Sequence, residues 1–174
     1  MKKVLIVVDM QNDFVSGSLG SPEAQEIVAG VLEKVKDAKE DEIDIIFTRD
    51  THTEEYLNTQ EGAKLPVVHC VAGTTGWEII DSLKPYADET RIIDKPSFGS
   101  LELASYVAAK GYHEIELVGL CTDICVVSNA LLIKAASLEA IVSVDASCCA
   151  GVTRDSHEAA LKTMEMCQVD VIRG

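Results

Sequence analysis

No apolar run in this chain approaches the roughly 18 residues that a membrane-spanning helix needs, which sets helical membrane proteins aside first. Two lysines precede the apolar stretch Val4 to Val8, but Asp9 interrupts it too early for a signal peptide, so a soluble, cytoplasmic protein is expected. Positive charge is scarce as well. Against 29 acidic residues stand only 15 basic ones, a formal net charge of -14. Such a balance repels phosphate backbones and acidic lipid surfaces, and leaves no electrostatic basis for a nucleic-acid or membrane partner. A small, uncharged or weakly charged molecule suits it better. No CxxC pair occurs among the six cysteines, Cys70, Cys121, Cys125, Cys148, Cys149 and Cys167. Their scattered, apolar contexts fit a reducing compartment rather than a disulfide framework and leave thiols free for chemistry. Repeats, low-complexity tracts and linkers are also missing. The 174 residues, 47% of them hydrophobic, suit one domain, 1–174, large enough to bury a two-sided sheet.

What is present is an alternation. Short runs rich in Val and Ile recur at Val4 to Val8, Ile43 to Phe47, Arg91 to Ile93, Ile115 to Val118, Ile141 to Val144 and Val169 to Ile172, and read as buried parallel strands. Between the first two, Ser21 can cap and Pro22 can start a helix with Ile27, Val28, Val31, Leu32 and Val35 on one face. Helical spacing returns over Ser100 to Lys110, Thr122 to Ser137 and Thr153 to Cys167. The expected fold is α/β: a three-layer, Rossmann-like arrangement with a mostly parallel six-stranded sheet and helices on both faces. Residues 51–77 have neither period. A polar stretch of that length in so small a fold marks a loop with a function.

Ligands in open parallel sheets bind beyond the carboxyl ends of the strands. Asp9 ends the first strand, Asp50 follows the second, Lys95 follows the third, and Gly119 to Cys125 leads from the fourth into a helix. A carboxylate closing an apolar strand is desolvated, which raises its pKa toward a useful general base. A cysteine in the first turn of a helix, beside an ammonium, is biased toward thiolate, and the free N–H groups there can receive an oxyanion. Each residue also has an ordinary reading, as turn acceptor, surface charge or small core residue. The arrival of Asp9, Lys95 and Cys125 at one sheet edge from three separated segments favours the chemical one. In the long loop, Asp50 and His52 are one residue apart and Glu61 and His69 follow, donor types that suit a divalent transition metal, although two histidines in a polar loop often serve only as surface or capping groups. His113 and His157 fall at the start of the fourth strand and in the last helix and read as structural or surface residues.

The segments Val8 to Phe14, Asp94 to Ser100 and Gly119 to Cys125 resemble the three catalytic motifs of the nicotinamidase and isochorismatase-like cysteine hydrolases, in that family's order and across nearly the whole chain. The resemblance implies a triad of Asp9, Lys95 and Cys125, an oxyanion hole from the backbone amides of Cys121 and Cys125, and a cis peptide between Cys121 and Thr122. It implies acyl transfer through a thioester, most simply nicotinamide to nicotinate and ammonia; the alternatives are an isochorismatase-like or other small-amide hydrolase of unassigned substrate and, behind these, a non-catalytic binding domain or thiol sensor. Asp50, His52 and His69 match the nicotinamidase metal ligands and Glu61 the fourth ligand of some bacterial members, so a divalent ion (Zn, Fe or Mn) is expected. One departure stands out: the aromatic residue that commonly precedes the loop histidine is replaced by Leu65-Pro66-Val67-Val68-His69. The expected substrate pocket therefore takes its rings from Phe14 and Phe98, with Leu65 as a wall and Trp77 either a contributor or a structural anchor. Cys148 and Cys149 are expected after the fifth strand as packing residues. The family resemblance also implies a homo-oligomer.

Overall fold

The computed structural model describes residues 1–174. Six strands, β1 (Lys3–Val8), β2 (Asp44–Asp50), β3 (Arg91–Lys95), β4 (Glu114–Leu120), β5 (Ile141–Ala150) and β6 (Asp170–Ile172), form one sheet in the order β3-β2-β1-β4-β5-β6. Every pairing is parallel, so the sheet is wholly rather than mostly parallel. Alternation along β1 sorts its side chains: Val4, Ile6 and Val8 join one core cluster, Leu5 and Val7 the other. The first cluster is closed by α6 (Leu101–Lys110), α7 (Val127–Ala136) and α8 (Arg154–Met166), the second chiefly by α2 (Pro22–Glu26) and α3 (Val28–Glu40), with α1 (Asn12–Val15) and α5 (Lys84–Ala87) alongside. Helices on both faces of the sheet make the three expected layers. No helix is long and apolar enough to cross a membrane.

Strand order reverses between β1 and β4, because the chain runs from β1 outward to β3 and then returns to the other side of β1. Asp9 and the segment after β4 therefore meet at the switch point, where β1 and β4 run with Val8 opposite Gly119. Gly119 is required there: its φ is +115°, and a Cβ at this position would stand 2.2 Å from the Val8 carbonyl oxygen. The expected helix from Pro22 is capped by Ser21, whose Oγ accepts from Ala24 N at 3.0 Å, but it bends at Ile27 into two helices. Ala24, Ile27, Val31 and Val35 are all buried as a result. The long loop carries a short 3-10 turn (Tyr56–Asn58) and α4 (Gln60–Lys64), too short for a hydrophobic period to announce them.

Two cysteines lie elsewhere than expected. Cys148 and Cys149 are inside β5, which continues to Ala150, and as strand neighbours they face opposite cores. They are free, as are the other four cysteines. The apolar run stopped at Val144 because Asp145 follows it. That carboxylate is buried, and Lys34 Nζ at 2.8 Å and the Ser147 backbone N–H at 2.9 Å compensate it within the strand.

Candidate active site

β1, β2 and β3 deliver three charged groups to one place. Asp9 follows β1 in the left-handed region (φ 49°), wholly buried, and exchanges two hydrogen bonds with Thr48 of β2: its N–H donates to Thr48 Oγ1 (3.2 Å), and that hydroxyl donates to Asp9 Oδ1 (2.6 Å). Asp50 and Lys95 are register partners at the ends of β2 and β3. Lys95 is fully buried, with Nζ 2.6 Å from Asp9 Oδ2, 3.4 Å from Asp50 Oδ1, 3.2 Å from the Ser97 carbonyl and 3.4 Å from Cys125 Sγ. The ammonium thus touches both carboxylates and the thiol.

Cys125 does not sit in an ordinary α-helical turn. Residues Thr122–Val126 form a π-helical turn, in which Val126 N donates to the Cys121 carbonyl at 3.0 Å, and α7 begins only at Val127. The cis peptide lies one bond earlier than expected, at Leu120–Cys121. β4 stays paired through Leu120, opposite Ala150, so the chain leaves the sheet at this peptide rather than after Cys121. The Cys121 N–H donates to no backbone carbonyl of the neighbouring turns and loops. The turn is held from behind by Thr122 Oγ1, 2.8 Å from His157 Nδ1, and by Asp123, which accepts from Val152 N and Ser156 Oγ at the start of α8. His157 is therefore a supporting residue of this turn, and His113 is exposed at the far edge.

Burial sets the proton affinities. It raises the Asp9 pKa above the ordinary carboxylate value despite Lys95 beside it. It works against the Lys95 ammonium too, but Asp9, Cys125 and Asp50 outweigh it and keep that group charged. Cys125 departs from expectation: burial, then Asp9, pushes its thiol well above the usual range, and Lys95 offsets this only in part. A standing thiolate is disfavoured, and the proton has to be removed by a neighbour. Cys121 is raised to about 12 by burial and Asp123, and it lacks the contact with Lys95.

Beside this trio, Asp50, His52, Glu61 and His69 bring one donor atom each to within 4.8 Å of one another. His52 Nε2 is 2.9 Å from Asp50 Oδ2 and 3.6 Å from Glu61 Oε1; His69 Nε2 is 3.5 and 3.9 Å from the same two oxygens. His69 Nδ1 meets the Val67 carbonyl at 2.7 Å, which aims Nε2 into the cluster. His52 Nε2 is buried and, despite its nearness to Asp50, has no aligned hydrogen-bond partner. Two imidazoles and two carboxylates with one orphaned buried nitrogen fit a divalent cation. Burial opposes the Asp50 charge, yet His52, His69 and Lys95 hold its pKa well below the ordinary carboxylate value.

A cavity of about 400 Å³ opens onto both groups. Asp50, Glu61, His69, Cys121 and Cys125 line it together with Phe14, Leu65, Phe98, Ile124 and Val152. Phe14 lies against His69, ring centroids 5.5 Å apart. Trp77 stays outside it: Arg49 stacks on its ring at 3.6 Å and its Nε1 donates to Thr51 Oγ1, so its part is anchoring.

Three residues that hold this arrangement were missed in the sequence. Gln11, fully buried, accepts from Asp50 N (2.7 Å) and donates to the Asp50 and Trp77 carbonyls (2.9 and 2.8 Å). Its place inside the Val8 to Phe14 segment was a usable signal. Asn129 donates to the Cys125 and Phe98 carbonyls and accepts from Ser100 N, and its spacing of four from Cys125 was another. Thr48 carried no signal, since only the sheet register brings it to Asp9.

Several known proteins are similar to this chain in sequence or in fold. Mycobacterium tuberculosis nicotinamidase/pyrazinamidase is 28% identical over 185 residues, covering 98% of this chain and 98% of that protein. Saccharomyces cerevisiae nicotinamidase is 28% identical over 173 residues, covering 74% and 80%. Pyrococcus horikoshii pyrazinamidase, solved in complex with zinc, superposes with a TM-score of 0.84 at 27% identity over 100% of both chains. The isochorismatase domain matches residues 3–174, and with that match covering all six strands and every residue of the site just described, the chain belongs to the isochorismatase family.

Proposed function

We propose that the protein is a metal-assisted cysteine amidohydrolase that converts nicotinamide, or a close heteroaromatic carboxamide, to the acid and ammonia. The observation that carries this reading is the meeting of Asp9, Lys95 and the Cys125 thiol beside a four-donor cluster, with Cys125 and three of the donors, Asp50, Glu61 and His69, lining one largely apolar cavity. The activities named for the Mycobacterium, Saccharomyces and Pyrococcus proteins agree with it. The net charge of -14 favours a small-molecule substrate over nucleic acid or a membrane surface, and the same reading expects a cytoplasmic homo-oligomer.

In the reaction, Asp9 takes the Sγ proton as Cys125 adds to the amide carbonyl carbon. The C=O electron pair moves onto oxygen, which the backbone N–H groups of Cys121 and Cys125 receive. Collapse breaks the C–N bond, Asp9 returns its proton to nitrogen, and ammonia leaves a thioester on Cys125. Asp9 then deprotonates the water that adds to the thioester, and a second collapse releases the acid and restores the thiol. Lys95 stays charged throughout, orients Asp9 and offsets the transient thiolate. Phe14 and Phe98 would flank the substrate ring and Leu65 would form its wall. Asp50, His52, Glu61 and His69 would hold a divalent ion, Zn, Fe or Mn, whose Lewis acidity would fix a ring nitrogen. A broader small-amide hydrolase is the second reading, favoured by the aliphatic wall of Leu65, Ile124 and Val152.

Ammonia release from nicotinamide, pyrazinamide and simple aliphatic carboxamides, with metal analysis of the same sample, separates the two. Preference for the heteroaromatic amides, lost on chelation, is expected; a metal-loaded protein that hydrolyses none of them contradicts the proposal. The pH profile is a second check. Because Asp9 must be unprotonated to accept the thiol proton and its pKa is raised, kcat/KM should fall as pH drops through a value above the usual carboxylate figure of about 3.9. An acid limb at or below that figure would assign the base elsewhere.

A further inference from the structure

We propose that Tyr56 is the positioning residue of the candidate metal site, holding three of its four donors in register. The inference rests on the metal-binding part of the proposed function. Tyr56 is fully buried although the loop around it is polar. Its ring packs against both histidines, with centroids 4.7 Å from His52 and 4.9 Å from His69, and the two imidazoles lie edge to face at 4.8 Å. An imidazole ligand needs its ring plane fixed if one nitrogen is to point at the ion, and this aromatic contact fixes two at once.

The rest of Tyr56 governs Glu61. Its carbonyl accepts from Thr59 Oγ1 (2.7 Å) and Thr59 N (3.0 Å), and Thr59 caps α4 by accepting from Gly62 N (3.0 Å). Its hydroxyl donates to the carbonyl of Leu65 (2.9 Å), the residue that ends α4. Both ends of the five-residue helix carrying Glu61 are thus tied to one tyrosine. The fit is close: a Cβ on Gly62 would stand 2.1 Å from the Tyr56 carbonyl oxygen. A helix of five residues has little stability of its own, so the direction of the Glu61 carboxylate depends on these ties.

The test is a Zn²⁺ titration of chelator-treated protein against a chromophoric competitor, which reads affinity without turnover. Tyr56→Leu removes the ring and should weaken binding by about 10- to 100-fold. Tyr56→Phe keeps the ring and loses the tie to Leu65; it should weaken binding by about threefold to tenfold, as expected for one hydrogen bond. That smaller loss should vanish in a Glu61→Gln background, because it acts through Glu61. Tyr56→Leu binding within twofold of wild type, or additivity of Tyr56→Phe with Glu61→Gln, overturns the assignment. If Tyr56→Leu gives no cooperative thermal transition, the Tyr56→Phe and Glu61→Gln cycle decides alone. Wild-type protein that binds no Zn²⁺ defeats the metal part of the proposed function and this inference with it, whereas normal wild-type binding with unaffected variants defeats only the inference.

Discussion

Cys125→Ala is expected to lower ammonia release by a factor on the order of 10⁴ or more while leaving the protein folded, as loss of a nucleophile does in other triad hydrolases. The thiol is buried and small, and its removal leaves the Asp9–Lys95 pair at 2.6 Å intact, so the thermal midpoint should move little. Asp9→Asn should behave differently. It removes the proton acceptor that a thiol of raised pKa requires, and it also leaves the Lys95 ammonium buried with its nearest countercharge gone. Breaking a buried pair from one side costs about 3–5 kcal/mol, so this variant should lose activity and stability together. Steady-state ammonia assays with thermal melts of the same samples distinguish them. Retention of more than a few per cent of activity by Cys125→Ala would remove Cys125 from the mechanism, and an undiminished midpoint for Asp9→Asn would mean that Asp50, 3.4 Å from Lys95 Nζ, suffices as its countercharge.

Gly119→Ala should be among the most damaging single-methyl additions in the chain. The position needs φ +115°, beyond the left-handed helical region, and such a conformation costs an ordinary residue about 1–3 kcal/mol. The new Cβ would also stand 2.2 Å from Val8 O and 2.9 Å from Val8 N, both backbone atoms that cannot rotate away, and overpacking of this kind costs about 1–3 kcal/mol. A combined loss of about 3 kcal/mol is a large share of the 5–15 kcal/mol by which domains are usually stable, and corresponds to a fall in Tm of about 10 °C. Because Gly119 joins β1 to β4 at the switch point, the strain would separate Asp9 from the Cys121 to Cys125 turn. Activity should therefore fall at temperatures well below the new midpoint. A variant melting within about 2 °C of wild type would show that β4 can move off β1 without penalty.

The apolar runs located all six strands, and the three motif-bearing segments located Asp9, Lys95 and the turn of Cys125. Their ends were less legible, for a common reason. β2 continues past Phe47 to Asp50, β3 past Ile93 to Lys95 and β4 past Val118 to Leu120, and the residues that continue them, Leu120 apart, are polar, charged or glycine. Read by hydrophobicity, such residues belong to loops. In the protein they stay paired in the sheet because Thr48, Asp50 and Lys95 find their partners in one another and in Asp9.

The sequence by itself determined the alternation of strand and helix, the parallel three-layer arrangement and the set of reactive side chains at one sheet edge. These follow from local pattern, since burial period and residue chemistry are written position by position. Only the tertiary structure decided the π-helical turn around Cys125, the cis peptide at Leu120–Cys121, the raised proton affinity of the thiol, and the parts of Gln11, Thr48, Asn129 and Tyr56. Each of these depends on which distant groups share a buried volume. Tyr56 is the clearest case: nothing in a polar loop marks it, and its place between His52 and His69 exists only once the loop folds back so that His52 and Val71 pair.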